Sequence, residues 1–378
     1  MNLNVLFITI SYLSGNEGGI YASRTHINLF AELSNKMTLL YPHKEGKGLE
    51  GINEGKMECI PVKDSRNKLK KIIDLCFGKV HRFENIAKSY IDSKHYDIVV
   101  FDSSVVSSNL ITYAKIRGKK VITIHHNYQI EYVLGDCSFP LIIPILFWTK
   151  IYEKKSVKFS DLNLTLTPQD VELLSKHYDR KAKFSVLGVF EYQYKDYPLI
   201  KETQRGHRFI ITGSLATKQT EDSLIPWIKE YYPILKKTIP NLELTIAGRN
   251  PSEKLKNIIV SAGIKLVISP LDMFEILKEH DYYICPTDRG GGLKLRIMDG
   301  FKAGLPVITH SVSARGYEKL LDEGLLCSYN SIDTFIQSIK SVTKISLTHE
   351  DIQKKYVELY SFEAGLLRLK TILNENFK

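Results

Sequence analysis

The sequence Asp288-Arg-Gly-Gly-Gly-Leu-Lys-Leu-Arg-Ile-Met-Asp-Gly-Phe-Lys-Ala-Gly-Leu-Pro-Val-Ile-Thr309 joins a run of three glycines to a helical pattern and then to an apolar strand. The apolar run Tyr282-Tyr-Ile-Cys285 before it is followed by Pro286, so the glycines are predicted to lie on a loop that leaves a strand. The segment therefore predicts a strand, loop, helix and strand in succession, as in a parallel α/β sheet.

A short helix is predicted from Leu293, because Leu293, Ile297 and Phe301 recur at helical spacing. Gly304 suits the C-terminal cap of this helix, and Pro306 prevents its continuation.

The start of this helix is predicted to bind an anion. Backbone amides at a helix N-terminus attract phosphate, and the loop residues Gly290, Gly291 and Gly292 let a ligand approach closely. Lys294 and Arg296 would lie in the first turn, where the helix dipole disfavours a cation by roughly 0.3–1 kcal/mol, so a bound anion would remove a conflict. The alternative is a solvated basic face.

Composition indicates an ordinary globular protein of about two domains. The chain has 378 residues, of which 43% are hydrophobic and 25% are charged. Its five cysteines are irregularly spaced, which argues against a disulfide framework or structural zinc and favours a reducing cytoplasm. The first residues predict a buried strand instead of a signal peptide, and no apolar run reaches the ~18–20 residues of a membrane span.

The net charge of +10 is concentrated in part in the stretch Lys63–Arg82, which has seven basic and two acidic residues, an excess of 7 − 2 = +5. Leucine and isoleucine side chains alternate with these charges, so the stretch predicts a basic amphipathic helix that binds an anionic membrane surface. A solvated helix face is the alternative. No nucleic-acid-binding signature accompanies the charge, so no nucleic acid partner is expected.

Both halves of the chain repeat a rhythm of buried strand, loop and helix, which predicts parallel sheets of right-handed βαβ units. The domain boundary is expected near Tyr192–Arg205. The predicted domains are 1–195 on the acceptor side and 205–360 on the nucleotide side, with a C-terminal helix, 361–378, expected to pack back toward the first domain. Because ligands of such folds lie beyond the carboxyl ends of the strands, two facing sheets predict a ligand in an interdomain cleft.

The second half resembles the sugar-nucleotide-dependent glycosyltransferases of the GT-B fold, in particular family 4. Three pieces carry this resemblance in order: Ile211-Thr-Gly-Ser-Leu-Ala-Thr-Lys218, Leu242-Glu-Leu-Thr-Ile-Ala-Gly-Arg-Asn-Pro251 and the block from Gly290 to Thr309. The first half resembles the family more loosely, through the segments Gly18-Gly19, His126-Asn127 with Glu131 beyond, Tyr152-Glu153 and Phe159-Ser-Asp161. The resemblance implies two Rossmann-like domains that face a cleft.

One position departs from the family pattern. Members of this family often carry two glutamates eight positions apart, and here the matching residues are Gly291 and Asp299. Asp299 still accepts hydrogen bonds from ribose hydroxyls, whereas Gly291 supplies no carboxylate to the donor sugar. Backbone amides would have to replace that contact.

The resemblance also implies roles for individual residues. Lys218, Lys294 and His126 would be catalytic: the two lysines would stabilise the leaving diphosphate, and His126 would contact the donor sugar. The residues implied to bind the donor are Gly213, Ser214, Arg249, Gly290, Gly291, Gly292, Leu293, Arg296 and Asp299. The residues implied to contact the acceptor or the sugar are Gly18, Gly19, Asn127 and Glu131.

Structural explanations remain for several of these residues. Lys218 would be a solvated loop lysine, His126 a structural histidine, Arg249 a salt-bridge partner, and the pair Gly18-Gly19 a plain turn.

The sequence predicts no metal and no cofactor. It has no Asp-x-Asp pair and no His, Asp and Glu cluster at metal-ligand spacing, so cations and helix amides would neutralise the diphosphate. A Ser-His-Asp hydrolase would need a Gly-x-Ser-x-Gly elbow, and a nicotinamide enzyme would need Gly-x-Gly-x-x-Gly after the first strand. The elbow is absent from the sequence, and the loop after the first strand reads Ser14-Gly-Asn-Glu-Gly-Gly19, which does not fit the second motif.

The predicted function is transfer of a sugar, with retention of configuration, from a nucleotide sugar to a glycan or lipid-linked acceptor in bacterial surface polysaccharide biosynthesis. Retention is implied by the resemblance to family 4. Two alternatives remain: a sugar-nucleotide 2-epimerase of the same fold, which needs no acceptor, and a catalytically silent scaffold of a glycan-assembly complex.

Overall fold

The computed structural model describes residues 3–15, 18–43, 48–64, 66–76, 84–93, 95–106, 108–136, 142–195 and 205–377. The chain divides into two compact units. Unit 1 comprises Met1–Lys195 together with Tyr360–Lys378, and unit 2 comprises Asp196–Leu359.

Unit 1 contains a parallel sheet whose described strands follow the order β3-β2-β1-β4-β5-β6-β7. These strands are β1 (Asn4–Thr9), β2 (Lys36–Pro42), β3 (Glu58–Val62), β4 (Ile98–Asp102), β5 (Lys120–His125), β6 (Leu162–Thr165) and β7 (Phe184–Val186). Its helices are α1 (Gly18–Leu33), α2 (Lys68–Cys76), α3 (Glu84–Ser93), α4 (Ser108–Ile116), α5 (Gln129–Asp136), α6 (Ile142–Phe159) and α7 (Pro168–His177).

Unit 2 contains a second parallel sheet, with described strands in the order β10-β9-β8-β11-β12-β13. They are β8 (Arg208–Ser214), β9 (Glu243–Arg249), β10 (Lys265–Ile268), β11 (Tyr282–Cys285), β12 (Val307–His310) and β13 (Leu326–Tyr329). The helices that follow β7 in the sequence are α8 (Lys218–Glu230), α9 (Tyr232–Thr238), α10 (Glu253–Ser261), α11 (Met273–Lys278), α12 (Arg296–Lys302), α13 (Glu318–Asp322), α14 (Ile332–Val342), α15 (His349–Tyr360) and α16 (Phe362–Asn376).

The predicted pair of parallel α/β sheets is confirmed. Both sheets form because their central strands are short apolar runs that bury side chains on both faces, as β4 does along its whole length. Parallel pairing places the carboxyl ends of neighbouring strands at one edge of the sheet. Asp102 ends β4 opposite Ile124 of β5, so the residues that follow β5 lie beside Asp102.

Helix α16 belongs to unit 1, although it follows unit 2 in sequence. Phe362, Leu369 and Leu373 of this helix are buried in the same apolar cluster as Phe7 and Phe30. The helix packs closely at Gly365, where an added Cβ would lie 2.8 Å from the ring of Phe190 and 3.0 Å from Cδ2 of Leu29 on α1. A glycine is therefore required by packing at this position.

Several predicted boundaries are wrong. Helix α12 begins at Arg296 instead of Leu293, because Gly290 and Gly292 adopt φ values of +81° and +72°, and the residues between them and Arg296 complete the loop. Gly18 and Gly19 form the first turn of α1 and are not loop residues.

The segment 218–238 forms two helices and not one. Helix α8 already begins at Lys218, where Thr217 caps it, and α9 starts at Tyr232 with Pro233 in its first turn. Proline fits the first turn of a helix, since the amide that it lacks has no partner there.

The basic stretch Lys63–Arg82 is described in part. Helix α2 covers Lys68–Cys76, whereas 77–82 lie outside the described residues. None of the described helices is long and apolar enough to cross a membrane.

Candidate functional site

In unit 2, the loop after β8 lies against the start of α12. Gly213 has a φ of +150°, and a Cβ at this position would lie 2.7 Å from Nη1 of Arg296. Arg296 also approaches the hydroxyls of Thr287 and Thr220, each at 3.5 Å. The structure thus brings Gly213 and Arg296, which are 83 positions apart in the sequence, into contact.

The glycine loop lies beside the start of α8. The side-chain amide of Gln219 donates to the carbonyl of Arg289, and Gly290 is so close to Gln219 that any side chain there would collide with it. Asp288 anchors the loop by accepting a hydrogen bond from Ser223 at 2.7 Å. The glycines are therefore held next to the N-terminus of a 13-residue helix, whose first amides are donors for an anion.

Lys294 lies in this loop and is half-buried. Its Nζ donates to the carbonyl of Gly291 at 3.1 Å. Burial, together with the nearby charges of Arg296 and Arg315, lowers the pKa of Lys294 to about 8. No carboxylate pairs with Lys294 in the described part of the chain, so its charge has no counter-ion there.

The other predicted donor-binding residues surround these contacts. Ser214 and Arg249 are exposed at the carboxyl ends of the adjacent strands β8 and β9, and Ser214 pairs with Arg249 in the sheet register. Lys218 is exposed as the first residue of α8, and Asp299 is exposed in the first turn of α12. Leu293, between Gly292 and Lys294, is half-buried. Cations, amides and one carboxylate thus occupy one edge of the sheet.

Unit 1 holds a second polar group, built around His126. This residue directly follows β5, and its Nε2 donates to Oδ1 of Asp102 at 2.6 Å. The other oxygen of Asp102 accepts from the hydroxyl of Thr9 at 2.7 Å. The ring of His26, on α1, lies edge-on to that of His126 with 5.8 Å between the ring centroids.

The three neighbouring histidines differ in their charge preference. Burial lowers the pKa of His26 and of His125 to about 4 in each case. Burial would also lower the pKa of His126, but the charge of Asp102 and the hydrogen bond to it, with a smaller contribution from Asp170, raise it above the ordinary value. His126 is thus the histidine of this group that favours the cationic form.

The remaining predicted residues of unit 1 lie around His126. Asn127 follows it directly, and the Oδ1 of Asn127 is buried with no partner among the described residues. Glu131 lies in the first turn of α5, whereas Gly18 and Gly19 begin α1. The neighbour His125 is fully buried and bonds to the Oδ1 of Asn163 at 2.9 Å.

Two acidic residues of this region were not predicted to belong to the site. Asp102 is the partner of His126, and Glu153 of α6 accepts hydrogen bonds from the backbone of Gln129 and the hydroxyl of Tyr178, each at 2.9 Å. Burial raises the pKa of Glu153 to about 7. A signal for Asp102 was present, because a polar residue directly after a buried strand lies where ligands of parallel sheets bind.

The group His26, Asp102 and His126 also has the spacing of possible metal ligands, with one nitrogen or oxygen of each residue within 4.8 Å of the others. However, the 2.6 Å bond already joins the nitrogen of His126 to the oxygen of Asp102. We therefore interpret the group as a hydrogen-bonded ion pair and not as a metal site.

Comparisons with known proteins agree with this architecture. Residues 206–344 match the family model described as glycosyl transferases group 1. An uncharacterized 44.6 kDa protein in the cps region of Klebsiella pneumoniae is 24% identical over 238 residues, which are 59% of this chain and 60% of that protein. The chain thus spans only 60% of the length of that relative.

Two further likenesses cover more of the chain. The chitobiosyldiphosphodolichol beta-mannosyltransferase of Debaryomyces hansenii is 22% identical over 77% of this chain and 69% of that protein. The crystal structure of Anabaena HepE in complex with UDP and glucose covers 99% of this chain and 100% of that chain, with a TM-score of 0.64 and 10% sequence identity. The two parallel sheets and these likenesses show that the chain has the GT-B fold, and that residues 206–344 are similar to the glycosyl transferases of group 1.

Proposed function

We propose that this chain transfers a sugar from a nucleotide-sugar donor to a glycan or lipid-linked acceptor during the synthesis of a bacterial surface polysaccharide. The observation that carries the proposal is Lys294, a half-buried cation without a counter-ion among the described residues, beside Arg296 and the start of α8. Such a group of positive charges and amides is complementary to a diphosphate.

Glycosyl transfer requires positive charge at this place. The bond between the sugar and the diphosphate breaks while the sugar becomes cationic, so negative charge develops on the leaving phosphate. Lys294 and Lys218 are the residues proposed to stabilise that charge, and Arg296 and the amides after Gly213 hold the donor. Asp299 is proposed to accept hydrogen bonds from the ribose hydroxyls.

The proposed reaction retains the configuration of the sugar. The acceptor hydroxyl attacks from the face that the diphosphate leaves, and a phosphate oxygen of the leaving group takes the proton. His126 and Asn127 are proposed to contact the sugar, while Glu131, Gly18 and Gly19 are proposed for the acceptor side. No metal is part of this proposal, so turnover is expected to be unchanged by EDTA.

Three similar proteins support the substrate classes. The Anabaena protein was crystallised with UDP and glucose, which supports a sugar nucleotide as donor. The Klebsiella protein is encoded in a cps region, and the Debaryomyces enzyme is named for a diphosphodolichol-linked sugar chain. These names support a polysaccharide product and a lipid-linked acceptor.

A lipid-linked acceptor implies work at a membrane surface, and we propose that α2 and α6 bind anionic lipid on the cytoplasmic side. Leu69, Ile72 and Ile73 of α2 are 67%, 50% and 48% exposed, and α6 packs against α2 and exposes Ile143 and Phe147 at 61% and 59%. Both helices also carry exposed lysines: Lys68, Lys70, Lys71, Lys150, Lys154 and Lys158. This combination is typical of helices that lie in a membrane interface.

The donor site is tested by thermal shift with UDP, GDP and their sugar conjugates. A nucleotide at about 100 times its dissociation constant stabilises a protein by about 2.7 kcal/mol, so a measurable increase of the melting temperature is expected for one base. Lys294→Ala should abolish most of that increase, whereas Lys340→Ala, an exposed lysine on α14, should preserve it.

Absence of any nucleotide-dependent shift would contradict the proposed donor site. Conversion of a nucleotide sugar to its 2-epimer without acceptor would contradict the proposed transfer and assign the epimerase reaction instead.

A further inference from the structure

The carboxylate of Asp102 is held in a fixed orientation. Asp102 is 1% exposed, and its two oxygens accept from Nε2 of His126 on one side and from the hydroxyl of Thr9 on the other, with Ser23 as a third donor. These donors come from three different elements: the end of β1, α1 and the residue after β5. Of the two described histidines whose charge acts on Asp102, His126 has a raised pKa, whereas burial lowers the pKa of His26 to about 4.

The other ring nitrogen of His126 is left for a ligand. The side chain is 14% exposed, and its Nδ1 has no hydrogen-bond partner in the part of the chain that the structure describes. Because Nε2 donates to Asp102, protonation decides the role of Nδ1: the neutral ring offers a lone pair, and the charged ring offers a second N–H.

The surroundings of His126 favour the charged ring. The carboxylates that face it are Asp102 on β4 and Asp170 on α7, and both favour the cation. The two histidines beside it, His26 on α1 and His125 on β5, are buried and favour the neutral form, so they add little opposing charge.

We propose that Asp102 is a positioning residue that fixes the ring of His126 and keeps it as an imidazolium, so that Nδ1–H donates a charged hydrogen bond to an oxygen of the bound nucleotide sugar. This inference rests on the proposed donor and adds the protonation state of His126 and the residue that sets it. Asp102 acts through His126 and does not itself touch the substrate.

The substitution Asp102→Asn removes the negative charge at this position and keeps the shape of the side chain. The amide oxygen still accepts from Nε2–H, and the amide NH2 can donate to the oxygen of Thr9, so the ring keeps its place while its counter-ion is lost. Asp161→Asn is the matched control, because Asp161 bonds to Lys115 and to the amide of Val121 at the opposite end of β5.

The first measurement is an NMR titration of 15N-histidine-labelled protein without substrate, with the His126 signal assigned through His126→Gln. Wild type and Asp161→Asn are expected to show a charged His126 ring at pH 7. Asp102→Asn is expected to lower its titration midpoint by at least one pH unit, which corresponds to about a tenfold lower proton affinity. A neutral His126 in wild type at pH 7 would overturn the proposal, even if Asp102→Asn failed to fold.

The second measurement is the pH profile of turnover. A required imidazolium is present below its pKa and lost above it, so the alkaline limb of Asp102→Asn should move to lower pH, in parallel with the NMR midpoint. Turnover at pH 7.5 should fall at least ~10-fold and recover in part at pH 6. If Asp102→Asn alters the NMR midpoint of His126 but leaves the pH profile of turnover unaltered, the proposed hydrogen bond from Nδ1–H of His126 to the substrate is contradicted. The NMR titration uses no donor or acceptor, so its result tests the role of Asp102 independently of the proposed function.

Discussion

Lys294 in unit 2 and His126 in unit 1 are both partly buried cations at the carboxyl edge of a parallel sheet, but their surroundings act in opposite directions. Burial and the cations Arg296 and Arg315 lower the pKa of Lys294, whereas Asp102 outweighs burial and raises the pKa of His126. The group around Lys294 lacks a counter-ion among the described residues, and we propose that a bound anion balances its charge. The group around His126 contains its own counter-ion and is already balanced.

The largest expected effect comes from removing the unbalanced cations. Lys294→Ala and Lys218→Ala should each lower turnover by at least ~10²-fold, since one positioned group that stabilises leaving-group charge is worth about 3–4 kcal/mol. Steady-state kinetics of both variants check this, with circular dichroism to confirm that the fold is intact.

Lys340→Ala serves as the control for those kinetics, because this lysine lies on α14, away from the glycine loop. If Lys294→Ala or Lys218→Ala keeps wild-type turnover, the replaced lysine does not take part in the reaction. The contrast between the Lys294 group and the His126 group would then not hold.

Binding of α2 to an anionic membrane surface is expected to depend on the number of basic residues and not on the exact position of any one of them. Replacement of Lys68, Lys70 and Lys71 by glutamate should release the protein from anionic vesicles, since each basic residue near such a surface contributes about 1 kcal/mol. Flotation assays at low and high salt measure this binding, which should weaken as salt rises.

Hydrolysis of the donor by this triple variant should stay within about twofold of wild type, because none of the three lysines on α2 is among the residues proposed to contact the donor. If wild type does not float with anionic vesicles at low salt, α2 is a solvated helix face.

The smallest expected effect is a pH dependence of the affinity for a nucleotide that arises from Lys294 alone. With a pKa of about 8 in the free protein, Lys294 is charged below this pH and neutral above it. An anion favours the charged form, so binding above pH 8 requires the uptake of a proton, and affinity should fall by up to about tenfold per pH unit.

Calorimetry with UDP between pH 7 and pH 9 tests this dependence. In Lys294→Arg the guanidinium remains charged throughout, so the decline above pH 8 should disappear, whatever the absolute affinity. Equal slopes in wild type and Lys294→Arg would show that Lys294 is not next to the bound anion.

The sequence indicates the residues of the glycine-loop group more directly than those of the histidine group, for a physical reason. Gly290 to Asp299 are contiguous, so one loop and one helix start carry most of the residues together. Asp102 and His126 are 24 positions apart, and their contact depends on β4 being the neighbour of β5. Periodicity along the chain identifies strands but contains no information on which strands pair.

The strands show the same limit. The buried strand β11 was predicted because Tyr282-Tyr-Ile-Cys285 is a continuous apolar run. The edge strands β3 and β13 carry no such signal, since Glu58-Cys-Ile-Pro-Val62 is partly exposed and contains a proline, and Leu326-Cys-Ser-Tyr329 is short and half polar. Edge strands tolerate such residues because one side of the strand forms no ladder hydrogen bonds.

The return of α16 to unit 1 has a consequence for synthesis of the protein on the ribosome. Domains generally fold from the N-terminus as the chain emerges, but the apolar cluster around Phe7 and Phe30 includes Leu369 and Leu373, which are made only after unit 2. Until then, the surface of α1 that α16 covers stays open to water and to other nascent chains. Unit 1 thus begins to fold before unit 2 is made and is complete only after it, so a stop directly after unit 2 would leave the histidine-bearing unit without α16.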